Sequence, residues 1–189
     1  MTTTLEIPTS LTGTYTIDAS HSRIGFVARH AMVTKVRGGF NEFEGTGYFD
    51  AEDPSRSSLE LVIDAKSIDT RNADRDAHLR SNDFFDMDTH PQIRFVATAI
   101  EQTGDQEFAV TGDLTIKGVT KEVTIDFTYT GNAVDPFGYR RIGLEGATTI
   151  NRKDWDVTWN AALEAGGVLV SEKVDLEFEV SAVRVDDSA

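Results

Sequence analysis

The sequence of 189 residues contains no cysteine, which excludes disulfide bonds and thiolate chemistry. It also has no apolar run long enough to cross a bilayer as a helix. The first residues, 1–6, lack the basic start and the apolar stretch of a secretory signal peptide. We therefore expect a cytoplasmic protein that is not an integral membrane protein.

Positive charge is scarce. The chain has 18 lysines and arginines against 32 acidic residues, which gives a formal net charge of −14. Nucleic acids are bound by clustered basic surface, and no Lys/Arg run supplies one here. The same charge disfavours anionic membrane surfaces. We expect no nucleic-acid partner, and the acidic surface is most simply explained by solubility.

The common catalytic and cofactor motifs are missing. The sequence has no GxSxG, no P-loop and no GxGxxG, and its histidines lack the short paired spacing of a zinc site. The carboxylates Asp83, Asp86 and Asp88 lack the glycine turn and the terminal glutamate of a calcium loop. The sequence predicts no catalytic residue, no metal and no cofactor.

An alternation of apolar and polar residues runs through most of the chain. It is strictest near the end, where Val174, Leu176 and Phe178 alternate with acidic residues. About eight antiparallel strands joined by hairpins predict either a closed barrel or a sandwich. A barrel of this size can hold one small ligand, whereas a sandwich core cannot. Small residues on inward faces favour the barrel: Ala28, Ala65, Ala97 and Ala99.

The length suits one domain, and the glycines and prolines are scattered as turn punctuation without forming a linker. We expect flexible tails at 1–12 and 185–189, and a single domain over 13–184.

The stretch 66–95 interrupts the strand pattern with charged, helix-like sequence. Asp69 and Thr70 are good helix starters, and two i,i+4 pairs are expected on the helix, Asp74 with His78 and Asp76 with Arg80. The adjacent aromatics that follow, Phe84 and Phe85, predict a segment that folds back over an apolar opening.

Three further residues are candidates for the site. His30 ends an apolar strand face, so its imidazole could meet a polar headgroup at the pocket mouth or could bond to a neighbouring loop. Trp155 and Trp159 are either core residues or part of the pocket wall and rim.

Several spaced motifs identify a resemblance that extends from Tyr15 to Val183. The motifs are Asp18-x-x-His21-Ser22-x-Ile24-x-Phe26, Gly39-Phe40, Phe43-x-Gly45, His78-Leu79-Arg80-Ser81, Asp83-Phe84-Phe85-Asp86, Pro91-x-Ile93-x-Phe95, Gly112-x-Leu114-Thr115-Ile116-x-Gly118 and Asn151-Arg152-x-Asp154-Trp155. The chain resembles the YceI-like, polyisoprenoid-binding, lipocalin-like proteins. The resemblance implies an all-β fold, an extended eight-stranded antiparallel β-barrel with one or two short helices. It also implies a long isoprenoid or another amphiphile in the pore and no known catalysis.

The resemblance implies a carrier or a store for a small amphiphilic lipid, such as an isoprenoid quinone or a polyprenyl lipid, and a homodimer as a further expectation. The predicted ligand-binding residues are Ile24, Phe26, Ala28, His30, Phe40, Phe43, Leu61, Ile63, Phe84, Phe85, Phe95, Ile116, Ile125, Phe127, Trp155, Trp159 and Phe178. Three alternatives remain. In the first, the ligand is a hydrophobic antibiotic or a fatty-acid derivative captured under stress. In the second, the protein is an enzyme that acts on an isoprenoid or an amide through His30 or His78 and a nearby carboxylate. The third is an interaction module with a filled core.

Overall fold

The fold is seen in a computed structural model that describes residues 6–164 and 166–185. The described residues form one α-helix, α1 (Ala73–Arg80), and several short 3-10 turns. The strands are β1 (Gly13–Ile17), β2 (Arg23–His30), β3 (Thr34–Phe40), β4 (Phe43–Phe49), β5 (Ser58–Asp64), β6 (Ile68–Asp69), β7 (Gln92–Gln102), β8 (Glu107–Ile116), β9 (Val119–Val134), β10 (Arg140–Asn151) and β11 (Lys173–Arg184).

These segments form a closed antiparallel ring. Its order is β1, β4, β5, β7, β8, β9, β10 and β11, and it closes where β11 pairs with β1, with Tyr15 opposite Arg184. Strand β2 also pairs with β11, further along it than β1 does. Strand β3 pairs with the other edge of β2, and the short strand β6 pairs with the end of β3. The predicted fold class, a lipocalin-like eight-stranded barrel, is confirmed.

The alternation read from the sequence becomes the inside and the outside of the barrel, because successive strand residues point to opposite faces. On β11, Phe178 and Ala182 are buried while Asp175 and Glu179 are exposed. The main core cluster contains Phe95 and its neighbours, and a second cluster forms around Tyr15 at one end of the barrel.

The helix starts later than the sequence predicted. Asn72, rather than Asp69 or Thr70, is the N-cap, and its side chain accepts the backbone N–H of Arg75 at 3.0 Å. Thr70 comes before the helix and donates its backbone N–H to the buried carboxylate of Asp76 at 2.9 Å.

The predicted i,i+4 pairs of the helix are also wrong. The carboxylate of Asp76 bonds to Thr70, while Arg80 donates to the backbone carbonyls of Lys66 and Ile68, both at 3.1 Å. The imidazole of His78 pairs with Asp83, in the loop after the helix, instead of Asp74. Tertiary partners replace the local pairs because a helix of eight residues gains little from exposed pairs.

The ends of the described chain pack on the barrel. Leu11 is fully buried and its carbonyl accepts the hydroxyl of Tyr15 at 2.7 Å, while Ile7 packs beside it. The backbone N–H of Val185 donates to the carbonyl of Thr14 at 3.0 Å. The segments predicted as tails therefore contact the barrel at these residues, because Leu11 covers the apolar end of the barrel. Residues 1–5 and 186–189 lie outside the described residues.

Candidate functional site

Two apolar cavities lie inside the barrel. We call the one beneath α1 the helix-side cavity, with a volume of about 140 Å³, and the other the distal cavity, with a volume of about 130 Å³. Among the described residues, the lining of both cavities exposes almost no polar atoms. Such a space offers an occupant dispersion contacts and dehydration, and it offers a polar group no hydrogen-bond partner.

The two cavities share five wall residues, which we call the waist: Ile24, Leu61, Phe95, Ile125 and Phe178. Strand register explains why they meet at one level. Ile24 lies opposite Phe178 where β2 pairs with β11, and Leu61 lies opposite Phe95 where β5 pairs with β7. A chain-like molecule that occupies both cavities has to pass these side chains.

Next to the waist, the rings of Phe127 and Phe178 lie 5.8 Å apart although β10 separates their strands. Gly146 pairs with both residues, and a Cβ on it would lie only 2.5 Å from the ring of Phe127. A side chain at this position would push the two rings apart, so glycine is needed for the contact.

The end of α1 and the loop after it cover the helix-side cavity. Leu79, Phe84 and Phe85 line the cavity, so the predicted folding of this segment over an apolar opening is confirmed. The ring of His78 packs edge-on against Phe84, with 5.0 Å between ring centroids, and its Nε2 lies 2.8 Å from Oδ2 of Asp83. The cover is thus held by the aromatic contact between His78 and Phe84 and by the pairing of His78 with Asp83.

A buried arginine holds the segment that follows β10. The guanidinium of Arg152 donates to the carbonyls of Val157 at 2.7 Å, Trp159 at 3.0 Å, Val170 at 3.2 Å and Ser171 at 2.8 Å. Burial lowers the pKa of Arg152, and the nearby carboxylate of Glu172 acts in the opposite direction.

An arginine side chain keeps its charge in proteins, and here that charge is shared among four backbone carbonyls. The two sides of the loop 157–171 are fastened together at the wall of the helix-side cavity.

Fourteen of the seventeen predicted ligand-binding residues lie on the walls of the cavities: Ile24, Phe26, Ala28, Phe40, Leu61, Ile63, Phe84, Phe85, Phe95, Ile116, Ile125, Phe127, Trp155 and Phe178. Trp155 is also anchored by a hydrogen bond from its Nε1 to the carbonyl of Leu114 at 2.8 Å. That these residues bind a ligand stays a prediction.

The other three lie elsewhere. Phe43 is buried in the main core cluster. Trp159 is half-buried against the same cluster, and its ring centroid lies 4.7 Å from that of His78 and 5.3 Å from that of Phe84. His30 is exposed at the end of β2, where it forms a bridge with Val170. It is not part of either cavity wall because the strand leaves the apolar interior before it reaches this residue.

The distal cavity was largely missed from the sequence. Its walls include Tyr15, Ile100, Phe108, Tyr129 and Ile142, which continue the inward alternation on β1 and on β7 to β10. The signal was present in that alternation, but nothing in the sequence shows how far along each strand the empty space extends. Arg152 carried no predicted role, since a pattern of residue types does not show that four carbonyls converge on one side chain.

Within residues 6–164 and 166–185, no three histidine or acidic side chains are placed to hold a metal ion. In the same residues, no helix is long and apolar enough to span a membrane.

The match to the YceI-like domain covers residues 15–182, which is nearly the whole barrel. The chain belongs to the YceI-like family. This YceI-like protein is 38% identical to a UPF0312 protein of Staphylococcus aureus, over 89% of this chain and 95% of the relative.

Solved structures show the same barrel. The crystal structure of BcnA from Burkholderia cenocepacia superposes with a TM-score of 0.77 at 27% identity, covering 87% of this YceI-like chain and 98% of BcnA. A polyisoprenoid-binding domain from Saccharophagus degradans, implicated in plant cell wall breakdown, superposes with a TM-score of 0.68 over 90% of this chain and 98% of that domain. Its identity is 16%, so this second likeness concerns the fold alone.

Proposed function

We propose that this YceI-like protein binds a long apolar amphiphile inside the barrel, such as an isoprenoid quinone or a polyprenyl lipid, and sequesters or carries it. The observation on which the proposal rests is the pair of apolar cavities that share the five wall residues of the waist. An apolar cavity of this kind binds by removing hydrocarbon from water, which stabilises a complex by about 2.5 kcal/mol for each 100 Å² of apolar surface buried.

The shape of the space favours a chain over a compact ligand. On β11 the lining extends from Val174 in the helix-side cavity to Ala182 in the distal cavity. Eight residues at ~3.3 Å each give about 26 Å of strand, or about 20 Å along the barrel axis for strands tilted by ~40°. A molecule that fills both cavities is therefore long and narrow.

The likeness to the polyisoprenoid-binding domain supports the barrel fold that the proposal requires. It does not support the choice of ligand, because the two sequences are distant. The support for an isoprenoid is the lining itself. Branched aliphatic and aromatic side chains alternate around the waist, and a methyl-branched, unsaturated tail packs against both kinds.

Titration of delipidated protein with ubiquinone-10 tests the proposal, with the quinone absorbance that co-elutes with protein in gel filtration as the measurement. Leu61→Trp places a large ring in the waist. Val62→Trp, on the opposite face of the same strand, is its matched control. We expect saturable binding in the native protein and in Val62→Trp, and at least a tenfold weaker affinity in Leu61→Trp. No saturable binding by the native protein, or equal binding by all three, would contradict the proposal.

The same cavities could accept a hydrophobic antibiotic or a fatty-acid derivative, and such ligands compete with the quinone in that titration. The pair of His78 and Asp83 favours a different second candidate, an enzyme that acts on a bound isoprenoid or amide, because the pair lies on the cover of the helix-side cavity. Turnover of a bound amide that is abolished by His78→Gln would support it. A protein that turns over no amide, and whose His78→Gln variant only loosens the cover, fits the binding function.

A further inference from the structure

Two apolar loops lie side by side at the end of the barrel that holds the helix-side cavity. One is the turn between β2 and β3, residues 31–33, which we call the hairpin tip. The other is the loop 157–171. The backbone N–H of Ala31 donates to the carbonyl of Leu169 at 2.7 Å, so the two loops are tied together and form one surface.

This surface borders the helix-side cavity. Ala28, near the end of β2, and Val170, in the loop 157–171, both line the cavity. His30 forms a bridge with Val170, and the hairpin tip begins at the next residue. A partner that contacts the hairpin tip therefore lies next to the apolar interior.

The hairpin tip presents aliphatic side chains to water. Met32 is 57% exposed and Val33 is 76% exposed. Among the large apolar side chains of the described residues, only that of Phe137 is more exposed than Val33. The loop 157–171 is itself poor in charge, since its sequence contains one ionisable residue, Glu164. The two loops thus form an apolar end on a strongly acidic protein.

The backbone of the hairpin tip is strained in order to present these side chains. Ala31 and Met32 have φ angles of 51° and 65°, in the left-handed region, and Val33 donates its backbone N–H to the carbonyl of His30 at 3.1 Å. Glycine and asparagine are the residues that suit such turn positions. A turn that keeps alanine and methionine there holds an exposed aliphatic side chain at a cost in stability, which is common at binding sites.

Three cations flank the hairpin tip. Arg29 and Lys35 are exposed and lie opposite each other where β2 pairs with β3. Lys173 is the exposed first residue of β11, and Ser171, two residues before it, donates its backbone N–H to the carbonyl of Arg29 at 3.0 Å. Like charges directly opposite on neighbouring strands destabilise a sheet, so this arrangement is also unfavourable for the isolated protein.

Within the described residues, the side chains of these three cations make no ion pair and no hydrogen bond. The carboxylate of Glu172, beside Lys173 in the sequence, is already paired with Nζ of Lys153 at 2.6 Å. The positive charge of Arg29, Lys35 and Lys173 is therefore available to an external anion.

We propose that the hairpin tip docks on the surface of a bilayer that contains anionic phospholipid. Met32 and Val33 enter the interfacial layer, while Arg29, Lys35 and Lys173 contact lipid phosphates. The inference rests on the proposed function, because docking sets the helix-side cavity against the membrane that gives or receives an apolar ligand. Charge complementarity selects this partner. The three cations require anions and the adjacent aliphatic side chains require hydrocarbon, and an anionic bilayer offers both at one surface.

The net charge of −14 does not prevent this contact. Exposed charges are largely screened beyond about 8 Å at physiological ionic strength. The cavities alone extend over about 20 Å of the barrel axis, so acidic residues at the distal end lie outside that range. The charges beside the hairpin tip therefore decide its interaction with a membrane.

Cosedimentation of the delipidated full chain with sucrose-loaded vesicles tests the docking. The vesicles contain phosphatidylcholine alone or phosphatidylcholine with about 30% phosphatidylglycerol, which supplies the anionic surface. Val33→Ser removes an aliphatic side chain from the hairpin tip, and Val134→Ser, at the exposed end of β9, is its matched control. Arg29→Gln removes a flanking charge, and Arg56→Gln, in an exposed turn before β5, is its matched control. All four side chains are exposed, so the variants are expected to fold.

We expect the native protein and both controls to bind the anionic vesicles at least about tenfold more tightly than the neutral ones, and added salt should weaken this binding. Arg29→Gln should bind the anionic vesicles about fivefold more weakly, and Val33→Ser should also bind them more weakly than Val134→Ser. Equal binding to both kinds of vesicle, or equal binding by a tip variant and its control, would overturn the docking surface.

Two further outcomes separate this inference from its alternatives. A native dimer in light scattering that Val33→Ser dissociates would overturn the membrane as the partner and assign the surface to a second copy of the chain. A protein that binds ubiquinone-10 in solution but no vesicle would overturn the docking surface and leave the proposed function intact. Binding to anionic vesicles without any binding of ubiquinone-10 would support the docking surface and count against the proposed function.

Discussion

At the scale of single residues, a few buried polar side chains hold the cover and the loops around the cavities. The carboxylate of Asp76, 7% exposed, accepts both the backbone N–H and the hydroxyl of Thr70. Truncation leaves a buried donor without a partner, which costs about 1 to 3 kcal/mol. We expect Asp76→Ala to lower the free energy of unfolding by ~2 kcal/mol in urea titrations. Asp76→Asn keeps one acceptor oxygen and should lose less, and an equal loss in both variants would contradict this role.

Asp18, directly after β1, forms an ion pair with Arg141 on β10. Hydrogen bonds from the side chains of Ser20, Arg141 and His21 hold the pKa of this carboxyl well below its ordinary value. A lowered folded pKa adds stability above the unfolded value of about 3.9, and that stability is lost as the pH falls toward the folded value.

We expect Asp18→Asn to be ~1 to 2 kcal/mol less stable than the native protein at pH 7. The difference should shrink as the pH falls below about 4. Thermal unfolding measured from pH 7 to pH 2 checks this. A difference that is constant across the range would show that the carboxylate charge is not responsible.

At the scale of elements, Arg152 fastens the two sides of the loop 157–171 through four carbonyls. A lysine carries the same charge but cannot reach four acceptors with one ammonium group. We expect Arg152→Lys to destabilise the protein by ~3 kcal/mol and to speed hydrogen exchange at the amides of Leu169 and Val170. Lys153→Met, which removes an exposed neighbour, is the control and should change the exchange of these amides little. Unchanged exchange in Arg152→Lys would contradict the role of Arg152 as a fastener.

How much of these elements could be read from the sequence depends on the range of the contacts. The strict alternation of β11 was visible because strand periodicity is local, and the cover was visible because Phe84 and Phe85 follow a polar helix. The partner of Asp76 was not visible, since Thr70 reaches it only through the turn before the helix. The sequence also could not show that His30 lies outside both cavity walls, because the alternation shows which face a residue occupies and does not show where the interior ends.

At the scale of the whole molecule, the ring of strands encloses two cavities. Under the proposed function, their combined length sets the length of the hydrocarbon tail that fits. Affinity should rise with tail length while added units still bury apolar surface, and it should level off once both cavities are filled. We expect this pattern for quinones with 2, 4, 6, 8 and 10 isoprene units, measured in the same gel-filtration titration. An affinity that does not depend on tail length would contradict occupation of both cavities.

We propose that the barrel of this YceI-like protein holds a long apolar molecule, and native mass spectrometry of the purified chain detects such a complex on the intact protein. The expected result is a complex of one protein and one lipid-like molecule, either as purified or after incubation with ubiquinone-10, and the loss of that complex in Leu61→Trp. A protein that stays at its bare chain mass before and after incubation would contradict the claim.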